Sequence, residues 1–300
     1  MVPKPCSCKS SAREPPRLAA LGTPPNLGGE FPRSNVSKDR VNYDDIASTY
    51  DGRYRRGVGE GEHTIPFALR QLLTPGVPNR ILEVGCGTGF WLSSFGDRDK
   101  VYGIDVSQAM LSKAKARHAD LIRGTAEQLP FPHASFDLVY CVNAFHHFPE
   151  KEPFIREAER TLRPNGTLAI IGMDPHGQHD RWYIYDYFEG TYELDLRRFP
   201  SVPQITTWMN DAGFVEARHF VVERILDHQD GRAVLAHSVL QKTGTSQLIL
   251  ISNEAYDRGL RKIHADLDVA EARKDTLSFV EDISLVMVSA RRGPSSLPAP

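Results

Sequence analysis

The fold is decided by residues 81–90, which read ILEVGCGTGF, together with the run YGID at residues 102–105. An apolar run that closes on alternating glycines predicts a buried strand turning tightly into a helix, because glycine lets the backbone approach a ligand closely. Asp105 follows Gly85 by twenty residues, at the end of the next predicted strand, where a carboxylate can accept hydrogen bonds from ribose hydroxyls. The pattern predicts a binding site for a nucleoside-containing cofactor.

The glycine spacing separates the classes of nucleoside cofactor. Dinucleotide sites use G-x-G-x-x-G and phosphate-binding P-loops end in Gly-Lys-Ser/Thr, whereas this turn reads G-x-G-x-G and is followed by Phe90. Glu83, just before the turn, would repel a pyrophosphate but suits a cationic ligand. A sulfonium-bearing amino-acid nucleoside is therefore favoured, and a dinucleotide is the alternative.

Five motifs in order resemble those of class I S-adenosylmethionine-dependent methyltransferases, in the small-molecule, methyltransferase type 11 branch. They are residues 83–89 (EVGCGTG), 103–107 (GIDVS), 124–131 (GTAEQLPF), 135–140 (SFDLVY) and 162–168 (LRPNGTL). The resemblance extends over residues 41–290 and implies a Rossmann-like, doubly wound α/β fold with seven mostly parallel strands, the last one antiparallel. It also implies S-adenosyl-L-methionine as cofactor and methyl transfer to a small molecule by in-line displacement.

The resemblance further implies a set of cofactor-binding residues. These lie in the glycine turn, at the acid, in the loop over the adenine, after the fourth strand and in an N-terminal helix expected around residues 41–54. They are Glu83, Gly85, Cys86, Gly87, Gly89, Asp105, Val106, Thr125, Ala126, Glu127, Asn143, Tyr43 and Tyr50. The family usually carries an acid where this chain has Thr125, and Glu127 is the nearby acid that can share the polar role.

A base is needed in methyl transfer only when the acceptor must lose a proton, since the methyl group is already activated. His146 and His147 follow the fourth predicted strand at the ligand edge, and either could act as that base; a structural role in the turn is the alternative. No metal site is predicted, although residues 176–180 (HGQHD) contain ligand-type side chains. Arg197 and Arg198 are expected in a solvated turn.

The composition is that of an ordinary globular chain. Its 300 residues are 40% hydrophobic and 25% charged, with a net charge of -2. This balance of charge argues against a nucleic-acid partner. The sequence contains no run of about 18 apolar residues, so no membrane span is predicted. The four cysteines do not indicate a disulfide framework. A cytoplasmic location is expected, with organelle targeting by the N-terminal tail as the alternative.

Three segments are predicted along the chain. Residues 1–38, with seven of the 21 prolines, form a disordered Pro/Ser-rich tail, residues 39–290 form the methyltransferase domain, and residues 291–300 form a second disordered tail. Two insertions, about residues 174–203 and 227–276, are expected to form a helical lid, because loops at the ligand edge carry specificity. Deleting residues 227–276 is expected to abolish turnover and leave cofactor binding intact.

Two functions of other classes stay open. A cofactor-binding module that transfers nothing would keep the same glycine turn and Asp105, since a fold does not determine a function. A nucleic-acid methyltransferase would be expected to show a basic stripe and an Asn-Pro-Pro-aromatic motif, whereas residues 143–146 read NAFH. Formation of S-adenosylhomocysteine with an acceptor distinguishes an enzyme from a binding module.

Overall fold

The structure is a computed structural model that describes residues 41–48, 50–51, 63–117 and 120–294. The α-helices are α1 (Ile65–Arg70), α2 (Gln108–Ala114), α3 (Lys151–Thr161), α4 (Tyr183–Tyr187), α5 (Thr191–Arg198), α6 (Val202–Asp211), α7 (Ser246–Leu250) and α8 (Asn253–Ala272). The strands are β1 (Arg80–Val84), β2 (Lys100–Asp105), β3 (Leu121–Arg123), β4 (Phe136–Val142), β5 (Leu162–Gly172), β6 (Arg181–Trp182), β7 (Phe214–Asp230) and β8 (Ser278–Arg292). The tail predicted at residues 1–38 lies outside the described residues.

The described strands form one sheet in the order β3-β2-β1-β4-β5-β8, to which β7 and the two-residue β6 add by pairing with β8. The pairs among β1 to β5 are parallel, and β8 is antiparallel to β5, β6 and β7. The strand order reverses between β1 and β4, and open α/β sheets bind ligands at such a switch point. The predicted fold is confirmed, with β6 as a short additional strand.

Side chains alternate between two hydrophobic cores along the central strands. On β4, Leu138 and Tyr140 belong to one core, while Val139 and Cys141 belong to the other. This alternation follows from the two-residue period of a strand. The first core also contains buried residues of α1, α7 and α8, and the second contains those of α3 and α6. Helices therefore cover both faces of the sheet, as predicted. None of the described helices combines the length and apolarity that a membrane span requires.

The glycine turn does not lead into the α-helix that its pattern predicts. A short 3-10 helix, Trp91–Ser94, occupies this position instead. Ser93, Ser94 and Gly96 are weak helix formers, which favours one tight turn over several helical ones.

The N-terminal helix expected around residues 41–54 is also replaced by another structure. Residues 43–48 form turns, and residues 50–51 lie in a 3-10 turn; the remainder of that prediction lies outside the described residues. Asn42 Oδ1 accepts a hydrogen bond from the backbone N–H of Asp44 at 3.2 Å. Such local side-chain bonds compete with helical hydrogen bonding, which explains the difference.

The last two strands are longer than their sequence patterns indicate. β7 continues to Asp230, so the second insertion begins only after that residue, and β8 continues to Arg292. Arg291 and Arg292 therefore belong to the sheet, and the tail predicted from residue 291 was placed too early. The extra length of each strand is stabilised by the other strand, because each supplies hydrogen-bond partners to the other. Residues 295–300 lie outside the described part.

Both insertions contribute buried side chains to the first hydrophobic core, so they are part of the domain's core and do not only cover its surface. Leu248 of α7 and Ile263 and Leu267 of α8 are buried there, together with Phe188 from the first insertion. Deleting residues 227–276 would expose this apolar surface to water. We therefore expect the deletion to unfold the domain instead of leaving cofactor binding intact, and single substitutions are the better test of a lid.

Gly259 marks the point where α8 packs on Phe188. A Cβ at this position would lie 2.3 Å from Cδ1 and 2.5 Å from Cε1 of Phe188. We expect Gly259→Ala to lower the free energy of unfolding by about 1–3 kcal/mol through overpacking, although alanine is normally the better helix former. Denaturant unfolding measures the change, and Phe188→Leu should restore stability in the double variant. A more stable single variant would contradict this close packing.

Candidate functional site

The three glycines of the turn have different neighbours. Their φ angles are +74° at Gly85, +53° at Gly87 and +75° at Gly89. A Cβ at Gly85 would lie 2.6 Å from Cβ of Ala144, and one at Gly89 would lie 3.1 Å from Cβ of Ala114. A Cβ at Gly87 would have Cε1 of Tyr50 as its nearest neighbour, at 3.9 Å. Packing within the chain therefore requires Gly85 and Gly89, and Gly87 is the position with space for a ligand.

Asp105 holds the turn from the end of β2. Its Oδ2 accepts a hydrogen bond from the backbone N–H of Gly87 at 2.8 Å, and its Oδ1 accepts one from Ser107 at 2.8 Å. Burial raises the pKa of Asp105, although both hydrogen bonds favour the carboxylate. Val106 beside it is 57% exposed and offers an apolar surface at the same edge. Asp105 and Gly87, the glycine with space for a ligand, thus lie together at the predicted cofactor edge.

Glu83 and Cys86 are buried behind the turn. Glu83 accepts a hydrogen bond from the Tyr140 hydroxyl at 3.1 Å, and burial raises the pKa of its carboxyl well above the usual range. Burial also raises the pKa of the Cys86 thiol well above its ordinary value. The backbone N–H groups of Gly85 and Cys86 both donate to the carbonyl of Ile104. Both predicted residues therefore shape the turn from within the core.

The loop predicted to lie over the adenine follows β3 and is compact. Thr125 pairs with Gln128 across a tight turn, and Ala126 is buried. Glu127 is partly exposed, and its Oε1 accepts a hydrogen bond from the backbone N–H of Glu150 at 3.4 Å. Glu127, the acid expected to share the polar role at the adenine, is thus hydrogen-bonded to the residue before α3. Thr125 remains partly exposed.

The segment of residues 41–51, as far as it is described, contacts both the glycine turn and the start of α2. Asp44 Oδ1 accepts a hydrogen bond from the Ser107 hydroxyl at 2.5 Å, and Asp51 Oδ1 accepts one from the Thr88 hydroxyl at 2.5 Å. Two predicted cofactor residues, Tyr43 and Tyr50, sit on this segment with their rings edge to face, 5.8 Å apart. The segment therefore lies against the predicted cofactor edge.

A cavity of about 960 Å³, counting its open mouth, lies beside the glycine turn. Its walls come from the predicted cofactor edge, the two insertions and one face of β7 and β8. They consist of Tyr43, Tyr50, His63, Trp91, Asn143, His146, His147, Met173, Trp182, Phe199, Glu223, Ile225, Gly244, Thr245, Ser246, Gln247, Glu281, Ile283 and Leu285. Three predicted cofactor residues and both predicted bases therefore share one cavity with residues of the insertions.

The two histidines after β4 have distinct surroundings. Arg198 donates from Nη2 to Nδ1 of His147 at 3.2 Å, and Nε2 of His147 is hydrogen-bonded to the Tyr43 hydroxyl. Because a guanidinium can only donate, Nδ1 accepts and the ring hydrogen lies on Nε2, toward Tyr43. His146 stacks on Phe199 with 3.9 Å between the ring centroids, and burial lowers its pKa well below the usual range. These contacts fit positioning roles better than proton transfer.

Sequence reasoning missed a buried ion pair behind His147. Asp195 and Arg198 lie 3.3 Å apart, with side chains 0% and 5% exposed. Asp195 also accepts hydrogen bonds from Tyr185 at 2.8 Å and from Gln247 at 2.6 Å. Both arginines lie in α5 rather than in the expected turn, and only Arg197 is exposed to solvent. The signal was the three-residue spacing, which places Asp195 and Arg198 on one helix face.

His63 and Glu223 form a second pair that the sequence did not reveal. His63 Nδ1 lies 2.9 Å from Oε1 of Glu223, whose Oε2 accepts from the backbone N–H of Thr64 at 3.0 Å. Since a carboxylate only accepts, Nδ1 carries the hydrogen and Nε2 is the acceptor nitrogen. The ring lies edge-on to Phe90 and Trp91, which follow the glycine turn. The partners are 160 residues apart, so no local pattern could have joined them.

Asp195 makes the stability of the chain depend on pH. Burial raises its pKa from 3.8 to about 6, so the protonated form is favoured in the folded chain. The stability that this group contributes is fully present below about pH 4 and is lost as the pH rises through about 6. Relative to Asp195→Asn, we expect the unfolding free energy of the wild type to fall by up to about 3 kcal/mol between these values.

Urea unfolding across this pH range measures that difference. Asp186→Asn, which changes an exposed carboxylate nearby in sequence, should show no such trend against the wild type. A difference that grows with rising pH would show that burial does not favour the protonated form of Asp195.

The ligand-type side chains of the loop at residues 176–180 contact other elements of the fold. His176 Nε2 is hydrogen-bonded to the carbonyl of Phe199 at 2.8 Å, and Asp180 Oδ1 accepts from the backbone N–H of Ser284 at 2.8 Å. These partners lie on different elements, so the ligand-type side chains of this loop hold neighbouring segments together.

Known proteins resemble this chain most clearly over the cofactor half. A family model described as Methyltransferase domain matches residues 82–170. The phthiotriol/phenolphthiotriol dimycocerosates methyltransferase of Mycobacterium leprae is 35% identical over 112 residues, which are 35% of this chain and 42% of that protein. The 2-methyl-6-phytyl-1,4-hydroquinone methyltransferase 1, chloroplastic, of Oryza sativa subsp. japonica is 29% identical over 146 residues, which are 46% of this chain and 42% of that protein.

The fold has a counterpart among solved structures. A putative methyltransferase from an antibiotic biosynthesis pathway of Anabaena variabilis superposes with a TM-score of 0.54 at 22% identity, covering 75% of this chain and 96% of that one. The chain spans less than half the length of the two curated relatives named above. The matched residues 82–170 contain the glycine turn, Asp105 and Asn143. Over residues 82–170 this chain therefore matches a methyltransferase domain, and the relatives that it resembles there are methyltransferases.

Proposed function

We propose that this chain transfers a methyl group from S-adenosylmethionine to a small molecule bound in the cavity beside the glycine turn. One observation carries the proposal: Tyr50 and Asn143 from the cofactor edge line the same cavity as Gln247 from the second insertion. Donor and acceptor would therefore meet in one partly enclosed space. Proximity, alignment and exclusion of water are the main contributions a protein makes to such a displacement.

The residues at the edge fit the cofactor. Gly87 leaves space for a ligand, the Asp105 carboxylate can accept hydrogen bonds from ribose hydroxyls, and the exposed Val106 can pack against an adenine ring. Tyr43 and Tyr50 offer aromatic rings, whose faces attract a cation. When bound, the cofactor supplies an electrophilic methyl group on its sulfonium. Every other contribution comes from the residues that hold and surround it.

We propose His63 as the residue that accepts the proton of a hydroxyl acceptor. Glu223 orients its ring through Nδ1 and makes Nε2 the accepting nitrogen, and both residues line the cavity. His147 instead positions Tyr43, because its Nδ1 already accepts from Arg198. The sequence placed this role on His146 or His147, and the proposal moves it to His63, whose ring contacts Phe90 and Trp91.

The cavity and the relatives guide the choice of acceptors. Trp91, Trp182 and Phe199 provide large apolar walls that suit a planar or apolar molecule. One relative is named for a hydroquinone and another for phthiotriol and phenolphthiotriol dimycocerosates. Hydroquinones and other hydroxyl compounds are therefore the first acceptors to test.

Calorimetric titration with S-adenosylhomocysteine tests the cofactor, and chromatographic detection of S-adenosylhomocysteine formed from S-adenosylmethionine tests the transfer. We expect a dissociation constant on the order of micromolar for the full chain, and no heat with a nicotinamide dinucleotide. A folded chain that binds neither ligand would contradict the proposal. Binding without product from any tested acceptor would favour a binding module that transfers nothing.

We also propose that the protein acts in the cytoplasm without a nucleic-acid partner. The support is compositional: a net charge of -2 supplies no basic excess for a phosphate backbone. Microscopy of a fluorescent fusion tests the location, and a gel-shift titration with duplex DNA and RNA tests the partner.

A further inference from the structure

We infer that Asp227, His237 and Glu281 form a binding site for a divalent metal ion at the wall of the cavity. Each contributes one potential ligand atom, and these atoms all lie within 4.8 Å of one another. Ligands of a single ion, each about 2.0–2.2 Å from it, stand no more than about 4.4 Å apart, so a small adjustment brings the three groups onto one ion. Within the part of the chain that the structure describes, this is the one such group of three or more side chains.

The two carboxylates come from facing positions on the last two strands. Asp227 of β7 pairs with Glu281 of β8 in the antiparallel register, and directly opposite residues project from the same side of a sheet. Glu281 is only 6% exposed. Like charges at opposite positions destabilise a sheet, more so when burial reduces their hydration, unless a cation or proton neutralises them. The pairing therefore favours a bound cation.

His237, from the second insertion, completes the group and is oriented for binding. Its Nε2 lies 3.3 Å from Oδ2 of Asp227, and its Nδ1 lies 3.3 Å from the Tyr183 hydroxyl. A metal-bound imidazole uses one nitrogen for the ion, while a hydrogen-bond partner holds the other nitrogen and fixes the ring. Gln229 holds Asp227 in a similar way, with Nε2 3.3 Å from both carboxylate oxygens. Supporting contacts are thus present behind two of the three ligands.

The ligand set indicates the class of metal. One imidazole and two carboxylates suit Zn²⁺, Mn²⁺ or Fe²⁺ better than Mg²⁺, which prefers oxygen ligands and keeps several waters. Three protein ligands leave at least one coordination position for another group. Glu281 lines the cavity together with Ile283 and Leu285, so that position borders the proposed acceptor space. An acceptor oxygen could occupy it, a role that rests on the proposed function, whereas the metal site itself does not.

Zinc binding to the full chain, stripped of metal with a chelator, tests the inference. We expect calorimetry with ZnCl₂ to show one binding site. The midpoint temperature of thermal unfolding should rise when ZnCl₂ is added. His237→Gln and Asp227→Asn should each weaken this binding roughly 100-fold and remove the thermal shift. MgCl₂ should not replace ZnCl₂. Circular dichroism of the metal-free variants confirms that they are folded, and either variant alone suffices for the test.

Two control variants separate this site from other zinc ligands. His228→Gln removes an exposed imidazole from the same strand, and Cys6→Ser/Cys8→Ser removes two thiols, which also bind Zn²⁺. Both should keep the zinc-dependent shift. A wild type without any shift, or a shift that persists in either folded variant, would overturn the inference and leave an ion pair between His237 and Asp227. Titrating the same samples with S-adenosylhomocysteine reports separately on the proposed function.

Discussion

Replacing Asp105 by asparagine is expected to weaken S-adenosylhomocysteine binding by roughly 100-fold. The carboxylate accepts hydrogen bonds from Gly87 and Ser107, and it is the group proposed to accept from the ribose hydroxyls. An amide has one accepting oxygen and no charge, so the variant cannot keep this pattern. Losing hydrogen bonds to a charged group costs about 1.5–3 kcal/mol each, and about 2.7 kcal/mol corresponds to the expected change.

Calorimetric titration of both proteins with S-adenosylhomocysteine measures this loss. Asp120→Asn is the matched control, because it makes the same chemical change at an exposed position before β3 and should bind as the wild type does. Thermal unfolding without ligand shows whether the turn itself has been lost. Unchanged affinity in a folded Asp105→Asn variant would limit Asp105 to anchoring Gly87 and Ser107.

Replacing His63 by alanine is expected to reduce kcat by about 100-fold or more for an acceptor that must lose a proton, because a positioned general base contributes about 10²–10⁴. The affinity for S-adenosylhomocysteine should change little, since His63 contacts Glu223, Phe90 and Trp91 rather than the predicted ribose edge. Single-turnover kinetics with the first acceptor found to support turnover separates the chemical step from binding.

Two further variants test the assignment of the base. Glu223→Gln should lower kcat by less than His63→Ala, because an amide oxygen can still accept from Nδ1 but cannot stabilise the charged ring. His147→Ala should mainly raise KM values, since it releases Tyr43 from its hydrogen bond. If His147→Ala lost as much kcat as expected of His63→Ala, while His63→Ala kept full turnover, the proton acceptor would be His147.

Much of the cofactor edge could be predicted because its signals are local. The strand before Gly85, the spacing of the glycines and the acid at the end of the next strand all lie within 25 residues. Backbone sterics and side-chain alternation act over such distances, so β1, β2 and β4 appear where the sequence places them. The structure refines this by showing that Gly87 has space for a ligand, while packing explains Gly85 and Gly89.

The predictions that failed concern residues whose state depends on distant partners. Arg198 looks like a surface arginine until Asp195 pairs with it and Gln247, from the second insertion, donates to that carboxylate. The segment around residues 41–51 was expected to be helical, but Asp44 and Asp51 bond to Ser107 and Thr88, and these contacts hold its described residues against α2 and the glycine turn. The contacts of Asp44 and Asp51 leave no periodic trace in the sequence, because Ser107 and Thr88 lie on other elements.

The sequence by itself determined the class of fold, the resemblance to methyltransferases and the edge at which the cofactor is expected, since glycine conformations and strand patterns are properties of short segments. Only the tertiary structure decided which residues face the cavity: it paired His63 with Glu223 and brought Asp227, Glu281 and His237 together. These groups meet because β7 and β8 pair along their full length and the insertions pack against them. Burial and charge pairing, which select the chemistry of the cavity, arise from that long-range packing.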